Sequence, residues 1–180
     1  MIQPSSQIFF EEGLCFKRLP ERLVLEGYRR WAAGYATGNT SHWNDVWNLY
    51  ATELGTKEGR HALDALISFV KKTATCAKCP LRMFKVESTQ ICRDEALILC
   101  LISSMQAGDE TATELCLSNL ACAARCQEVA MEAANFALVL RSLKQTLRPI
   151  PSQVIIHILQ TYEPSNSEWP DGPHQSKTVH

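Results

Sequence analysis

The sequence predicts an all-α domain, an orthogonal or up-down bundle of about six or seven helices followed by a disordered C-terminal tail. Three observations support this fold class. Apolar residues recur at every third or fourth position through most of the chain, which is the spacing of one helix face. No stretch shows the sustained apolar-polar alternation of a half-buried strand. Glycines, prolines and capping residues divide the chain at short intervals.

Three regions are expected: an N-terminal arm over 1–19, a single helical domain over 20–162, and the disordered tail over 163–180. The tail is rich in proline, serine, asparagine, glycine and histidine, and it has almost no apolar side chains to bury. The whole chain has 180 residues. A domain of that size can bury about two thirds of its unfolded surface, so its core needs no disulfide.

The first two helices are marked at both ends. Pro20 suits the first helical position, and Gly38 with its asparagine neighbour ends that helix near Thr37. Ser41 is a good N-cap for the second helix, whose apolar residues repeat at three and four until Gly55. A short connection between the two helices is expected here.

The third helix is expected to begin at Thr56 and to run toward Lys72 or Thr75. A C-x-x-C motif, Cys76 to Cys79, follows directly. The next residue is a proline, which disfavours helical geometry at the residue before it. The motif is therefore predicted at a helix end or in a loop.

A second group of helices follows a polar connector. Residues 91–105 are apolar almost all round, which predicts a central helix buried on several sides, capped by Ser88 or Thr89. Gly108 and Asp109 supply a glycine C-cap and an aspartate N-cap back to back. They predict a tight turn into the next helix.

The last long helix is expected to carry one apolar stripe as far as Leu147, with a break near 119–124. Pro151 and the proline before it stop that helix, and Ser152 caps a short one over 154–159. A stripe sustained over so many turns predicts a packing partner along the whole length.

Composition excludes several function classes. The formal net charge is −1, so no global field attracts nucleic acid, and nucleic-acid binding is not expected. No run of 18 apolar residues and no signal peptide is found, so neither membrane insertion nor secretion is predicted. The sequence contains eight cysteines, most of them within helical patterns. Buried free thiols suit a reducing compartment, and cytoplasmic residence is expected.

The C-x-x-C leaves three alternatives open. Cys76 and Cys79 could form a reversible disulfide, favoured by the basic residues around them. They could instead supply half of a zinc or copper site completed by Cys92 with His61 or Cys100. The third alternative is that the thiols have no chemical role. No resident cofactor is expected, with zinc or copper as the alternative.

Two further cysteines, Cys122 and Cys126, are four residues apart, the spacing that places thiols on one helix face in copper-binding bundles. The same stripe continues with apolar residues, so core packing is the preferred interpretation.

Two candidate contact surfaces are found. One is an aromatic group spread over the first two helices, Trp31, Tyr35, Trp43, Trp47 and Tyr50, and the other is a basic segment over 71–85. Tryptophan and tyrosine are enriched in interfaces and ligand pockets, and a local basic cluster favours an acidic or phosphorylated partner. The predicted contact residues are Trp31, Tyr35, Trp43, Trp47, Lys78 and Arg82.

The chain contains no P-loop, no dinucleotide-binding glycine motif and no nucleophile elbow. We therefore predict an interaction or regulatory protein that binds a protein or a small molecule, as a monomer or a dimer. A thiol-based redox sensor or metal-binding protein is the alternative. An enzyme would need a deep cavity in which Asp94 or Glu95 meets a histidine or cysteine.

Overall fold

The computed structural model describes residues 14–78 and 80–161, and these residues form an all-α fold, which confirms the predicted class. A 3-10 turn, Ala123–Arg125, lies between two of the α-helices. In chain order the helices are α1 (Leu14–Lys17), α2 (Leu19–Thr37), α3 (Ser41–Leu54), α4 (Thr56–Cys76), α5 (Arg93–Ala107), α6 (Glu110–Leu120), α7 (Cys126–Ser142) and α8 (Ser152–Thr161). The predicted tail at 163–180 and most of the predicted arm lie outside the described residues, while the end of the arm forms α1.

Local chemistry sets most helix ends where they were predicted. Pro20 lies in the first turn of α2, and Gly38 ends that helix with a φ of 68°. Gly108 ends α5 with a φ of 72°, and the side chain of Asp109 accepts the backbone N–H of Ala112 at the start of α6. Left-handed backbone is accessible to glycine at little cost, which explains both C-caps.

Helix α5 is the central helix, as predicted. Residues 94–104 are buried without interruption. Helices α2, α6, α7 and α8 all pack against it, so no side of the helix is left for water. Burying each leucine or isoleucine there stabilises the fold by about 1.5–3 kcal/mol.

The predicted cap of α5 is wrong by a few residues. The helix begins at Arg93 with Cys92 as the N-cap residue, not Ser88 or Thr89. The carboxylate of Glu95 accepts the backbone N–H of Cys92 at 2.9 Å. Arg29 of α2 binds the backbone carbonyls of Ser88 and Gln90, so these residues are held by a distant side chain and do not join the helix.

The predicted break near 119–124 is confirmed. Helix α6 ends at Leu120, and α7 begins at Cys126 after the 3-10 turn. Cys122 is extended, with φ −69° and ψ 145°. Cys122 and Cys126 therefore do not share one helix face, and the expected i,i+4 arrangement of their thiols is wrong.

The predicted end of the last long helix is also wrong. Helix α7 stops at Ser142, and Lys144 has a φ of 60°. Leu147 is nevertheless buried, and its N–H donates to the side-chain oxygen of Gln106 at 2.8 Å. A side chain from α5 thus supplies the hydrogen bond that a longer helix would have supplied.

Candidate contact site at the loop end of the bundle

Contacts between successive helices bring the end of α2, the start of α3 and the end of α4 together. The indole N–H of Trp43 donates to the carbonyl of Trp31 at 3.4 Å, and the two rings lie 5.4 Å apart between centroids. The ammonium of Lys71 lies 6.0 Å from the centre of the Trp31 ring. We call this part of the molecule the loop end, defined as residues 29–47, 71–78, 80–95 and 117–128.

The second half of the chain reaches the same end. The ammonium of Lys72 in α4 lies 2.9 Å from the carboxylate of Glu128 in α7. The N–H of Cys122, between α6 and α7, donates to the carbonyl of Cys76 at 3.0 Å. The connector, defined by its described residues 77–78 and 80–92, carries most of the basic segment and lies among these elements.

A buried arginine holds the connector. The guanidinium of Arg29 is fully buried and contacts both carboxylate oxygens of Glu95, at 2.6 and 3.0 Å. It also donates to the backbone carbonyls of Ser88, at 2.5 Å, of Lys85, at 3.5 Å, and of Gln90. One side chain of α2 therefore binds the connector and the first turn of α5 at once.

The carboxylate of Glu95 also accepts hydrogen bonds from several donors. Besides Arg29, it accepts the backbone N–H groups of Cys92 at 2.9 Å and of Phe84 at 3.2 Å. The cation of Arg29 lies over the ring of Phe16, 4.9 Å from its centroid. Each oxygen of the Glu95 carboxylate therefore accepts two hydrogen bonds. The pair therefore serves as an anchor for the connector.

The sequence contains one local signal for each member of this pair. Arg29 follows the buried Leu25 by four residues and so lies on the buried face of α2. Glu95 is the third residue after the N-cap Cys92, the position of a capping glutamate. The pairing itself joins residues 66 positions apart, which no local pattern predicts.

The aromatic side chains of α2 and α3 lie in three environments. Tyr50 is fully buried, and its hydroxyl donates to a backbone carbonyl of α2 at 2.9 Å, so it is a packing residue. Trp31, Trp43 and Trp47 are half-buried. Tyr35 is 71% exposed. The accessible part of the group is therefore Tyr35 with the edges of the half-buried indoles.

A glycine makes the Trp43 contact possible. A Cβ placed on Gly34 would lie 2.4 Å from the indole nitrogen of Trp43, far inside van der Waals contact. Only glycine lets the indole lie on the backbone of α2 at this point.

The cations of the basic segment divide into two sets. Lys72 is paired with Glu128, which also contacts Arg125 at 3.3 Å. The hydrogen bond and charge of Glu128 raise the pKa of Lys72 above its ordinary value, and the same contact lowers the pKa of Glu128. The exposed cations of the segment are Lys71, Lys78, Arg82 and Lys85.

Backbone hydrogen bonds fix the positions of two of these exposed residues. The N–H of Arg82 donates to the carboxylate of Asp94 at 2.8 Å, and the N–H of Lys78 donates to the carbonyl of Leu120 at 3.1 Å. Within the described ranges, no ion pair joins Lys78 or Lys85 to another side chain. Their charges remain directed to solvent.

The predicted metal ligands are only partly described. Cys76 is buried at the last position of α4, and Cys92 caps α5. Cys79 lies outside the described residues. Among the residues that the structure describes, no three histidine, cysteine, aspartate or glutamate side chains converge as a metal-binding group.

Cys92 lies in an environment that keeps its thiol protonated. Its S–H donates to the carbonyl of Arg82 at 3.1 Å. Burial raises the pKa of the Cys92 thiol to about 12, and the neighbouring charges of Glu95 and Asp94 act in the same direction. A thiol of this kind is a poor nucleophile at neutral pH.

The hollow that the structure shows between α1, α2 and α5 lies away from these groups. It has room for about one water molecule, and Asp94 and Glu95 do not line it. Its lining comprises Cys15, Arg18, Glu21, Leu99, Leu147, Arg148 and Ile150. This hollow therefore does not match the deep cavity with Asp94 or Glu95 that an enzyme was expected to need.

Across the described ranges, no helix combines the length and the apolar character needed to cross a bilayer. Comparison with protein families, curated proteins and solved structures finds no match to this chain.

Proposed function

We propose that this protein is a cytoplasmic interaction module whose loop end binds an acidic segment of a partner protein. The observation that carries the proposal is the juxtaposition of the lysine-tryptophan pair, Lys71 over Trp31, with the exposed Tyr35. Interfaces favour aromatic side chains with an apolar body and a polar edge, and the neighbouring cations add charge complementarity.

The hydrogen bonds from Arg29 to the connector support this proposal. Surface loops usually lose conformational entropy when they bind. The connector is already fixed to α2 and α5, because Arg29 donates to its carbonyls and Glu95 accepts one of its backbone N–H groups. Lys78 and Arg82 are thus presented on a backbone that is ordered before binding, which lowers the entropic cost.

The exposed positive charges at the loop end favour an anionic partner. Glu128 neutralises part of the charge of Lys72 and Arg125, while Lys78 and Lys85 stay exposed. Carboxylates of an acidic peptide can pair with these lysines, and its apolar side chains can pack on the tryptophan edges.

The test uses a fluorescein-labelled octaglutamate peptide as the probe, with fluorescence anisotropy at low salt. The double variant Lys71→Glu/Lys78→Glu is expected to weaken binding at least tenfold, about 1.4 kcal/mol. The matched control, Lys57→Glu/Lys144→Glu, changes two exposed lysines outside the loop end by the same charge. It is expected to change affinity less than twofold.

Two further arms make the test decisive. Tyr35→Ala is expected to weaken binding to a probe with two central phenylalanines but not to octaglutamate. An octathymidylate probe that binds more tightly than either peptide would replace the protein partner with a nucleic acid. Equal losses in both lysine double variants would contradict the proposed surface.

A further inference from the structure

Two short segments pair at the loop end like strands of an antiparallel ladder. Ala77 and Ala121 form an isolated antiparallel bridge. The N–H of Cys122 donates to the carbonyl of Cys76 at 3.0 Å, and the N–H of Lys78 donates to the carbonyl of Leu120 at 3.1 Å. This register places Cys76 directly opposite Cys122.

We propose that Cys76 and Cys122 form a reversible disulfide that joins the end of α4 to the segment between α6 and α7. The N–H of Cys122 is bonded to the carbonyl of Cys76, the last residue of α4, so one of the two bonds of a hydrogen-bonded antiparallel pair is present. Residues that exchange both bonds have Cα atoms about 5.5 Å apart, within the separation of about 4.4–6.8 Å that disulfides span. This backbone contact brings Cys76 and Cys122 close enough for a disulfide to form after their side chains rotate.

The chemistry needs a low-molecular-weight disulfide, such as oxidised glutathione, as the oxidant. Cys122 is half-buried whereas Cys76 is buried, so the Cys122 thiolate attacks first. An S–S bond forms between Cys122 and one glutathione sulfur, and the other glutathione leaves as a thiolate that takes up the proton. Cys76, deprotonated in turn, then attacks the Cys122 sulfur and releases the second glutathione. Two protein thiols lose two electrons, and one oxidised glutathione becomes two reduced molecules.

The other thiols near this pair are placed less favourably. The sulfur of Cys126 lies 3.7 Å from the carbonyls of Leu117 and Ala121, turned toward the end of α6. The C-x-x-C of thioredoxin-like proteins opens a helix, whereas Cys76 is the last residue of α4. The fold therefore brings Cys76 to a thiol 46 positions away along the chain.

Peptide mapping of the oxidised full-length chain tests this pairing. After incubation in oxidised glutathione and blocking of remaining thiols, trypsin separates the candidates into different peptides. Residues 73–78 contain only Cys76, residues 79–82 only Cys79, residues 126–141 only Cys126, and residues 94–125 contain Cys122 with two buried cysteines. We expect 73–78 to be linked to 94–125 in the wild type and in Cys79→Ser, and the link to be absent in Cys122→Ser.

Three outcomes would overturn the inference: a link between 73–78 and 79–82, a link that survives in Cys122→Ser, or no disulfide at all. A second measurement does not depend on mapping. Oxidation is expected to raise the Tm of the wild type and of Cys79→Ser by about 5 °C or more, because the crosslink closes a long loop. The Tm of Cys122→Ser is expected to stay unchanged, and an equal rise there would also refute the pairing. The octaglutamate assay is separate, so failure of the contact proposal leaves this result unaffected.

Discussion

Removing the buried guanidinium of Arg29 is the sharpest test of the fold. Arg29→Met keeps most of the side-chain volume but leaves the carboxylate of Glu95 buried with its main cation gone. Both side chains of the pair are fully buried, and their closest atoms are 2.6 Å apart. Breaking one side of such a pair costs about 3–5 kcal/mol. The lost hydrogen bonds to the connector carbonyls act in the same direction.

The assay is urea denaturation followed by tryptophan fluorescence, with a double-mutant cycle. Arg29→Met is expected to lower the free energy of unfolding by about 3–5 kcal/mol. Arg29→Met/Glu95→Gln is expected to recover part of that loss, because the neutral amide leaves no buried charge and its oxygen can still accept one of the two backbone N–H groups that bond to Glu95.

The neighbouring Arg30 provides a matched control. It forms an i,i+4 pair with Glu26 at 2.6 Å, and both side chains are at least 20% exposed. Arg30→Met is therefore expected to cost less than about 1 kcal/mol. Two results would refute the role of Arg29 as an anchor. One is an equal loss of unfolding free energy in Arg29→Met and Arg30→Met, and the other is a double variant whose loss equals the sum of the losses in Arg29→Met and Glu95→Gln.

Three further predictions follow from other contacts. Gly34→Ala is expected to destabilise the protein by about 1–3 kcal/mol and to shift the emission of Trp43, because the new methyl group overlaps the indole; an unchanged emission spectrum would contradict this contact. Tyr50→Phe is expected to cost about 1 kcal/mol in urea denaturation, since the hydroxyl donates to a buried carbonyl of α2; no measurable loss would count against it. Stability is expected to fall as the pH rises above about 9, because the folded protein raises the pKa of Cys92 to about 12 and of Cys15 to about 11.

The sign of the pH effect follows from proton binding. Between the ordinary thiol pKa of 9.0 and the folded values, the folded state holds protons that the unfolded state has lost. The stabilising contribution is complete below pH 9 and is lost as the pH approaches 12. In denaturation curves from pH 8 to 11, Cys92→Ser should show a smaller decline than the wild type. A wild-type curve that is flat above pH 9 would contradict the burial of these thiols.

The site predictions illustrate where local reasoning stops. Trp31, Tyr35 and Trp43 were identified from their residue types, and the fold places them at one end, but only tertiary packing separates the exposed Tyr35 from the buried Tyr50. The C-x-x-C suggested a partner three residues from Cys76. The backbone pairing with Cys122 depends on how α4 and α6 end against each other, which spacing along the chain does not encode.

The sequence by itself determined the helical class, the central position of α5 and the caps at Gly38, Gly108 and Asp109. Helix periodicity, capping hydrogen bonds and left-handed glycine conformations act within a few residues, so they can be read locally. Only the tertiary structure decided the start of α5, the end of α7 and the anchoring of the connector. Each of these depends on a hydrogen bond from a distant helix, made by Arg29 to the connector or by Gln106 to Leu147. A buried polar group must find a partner wherever the fold offers one, and that partner is defined only after the helices have packed.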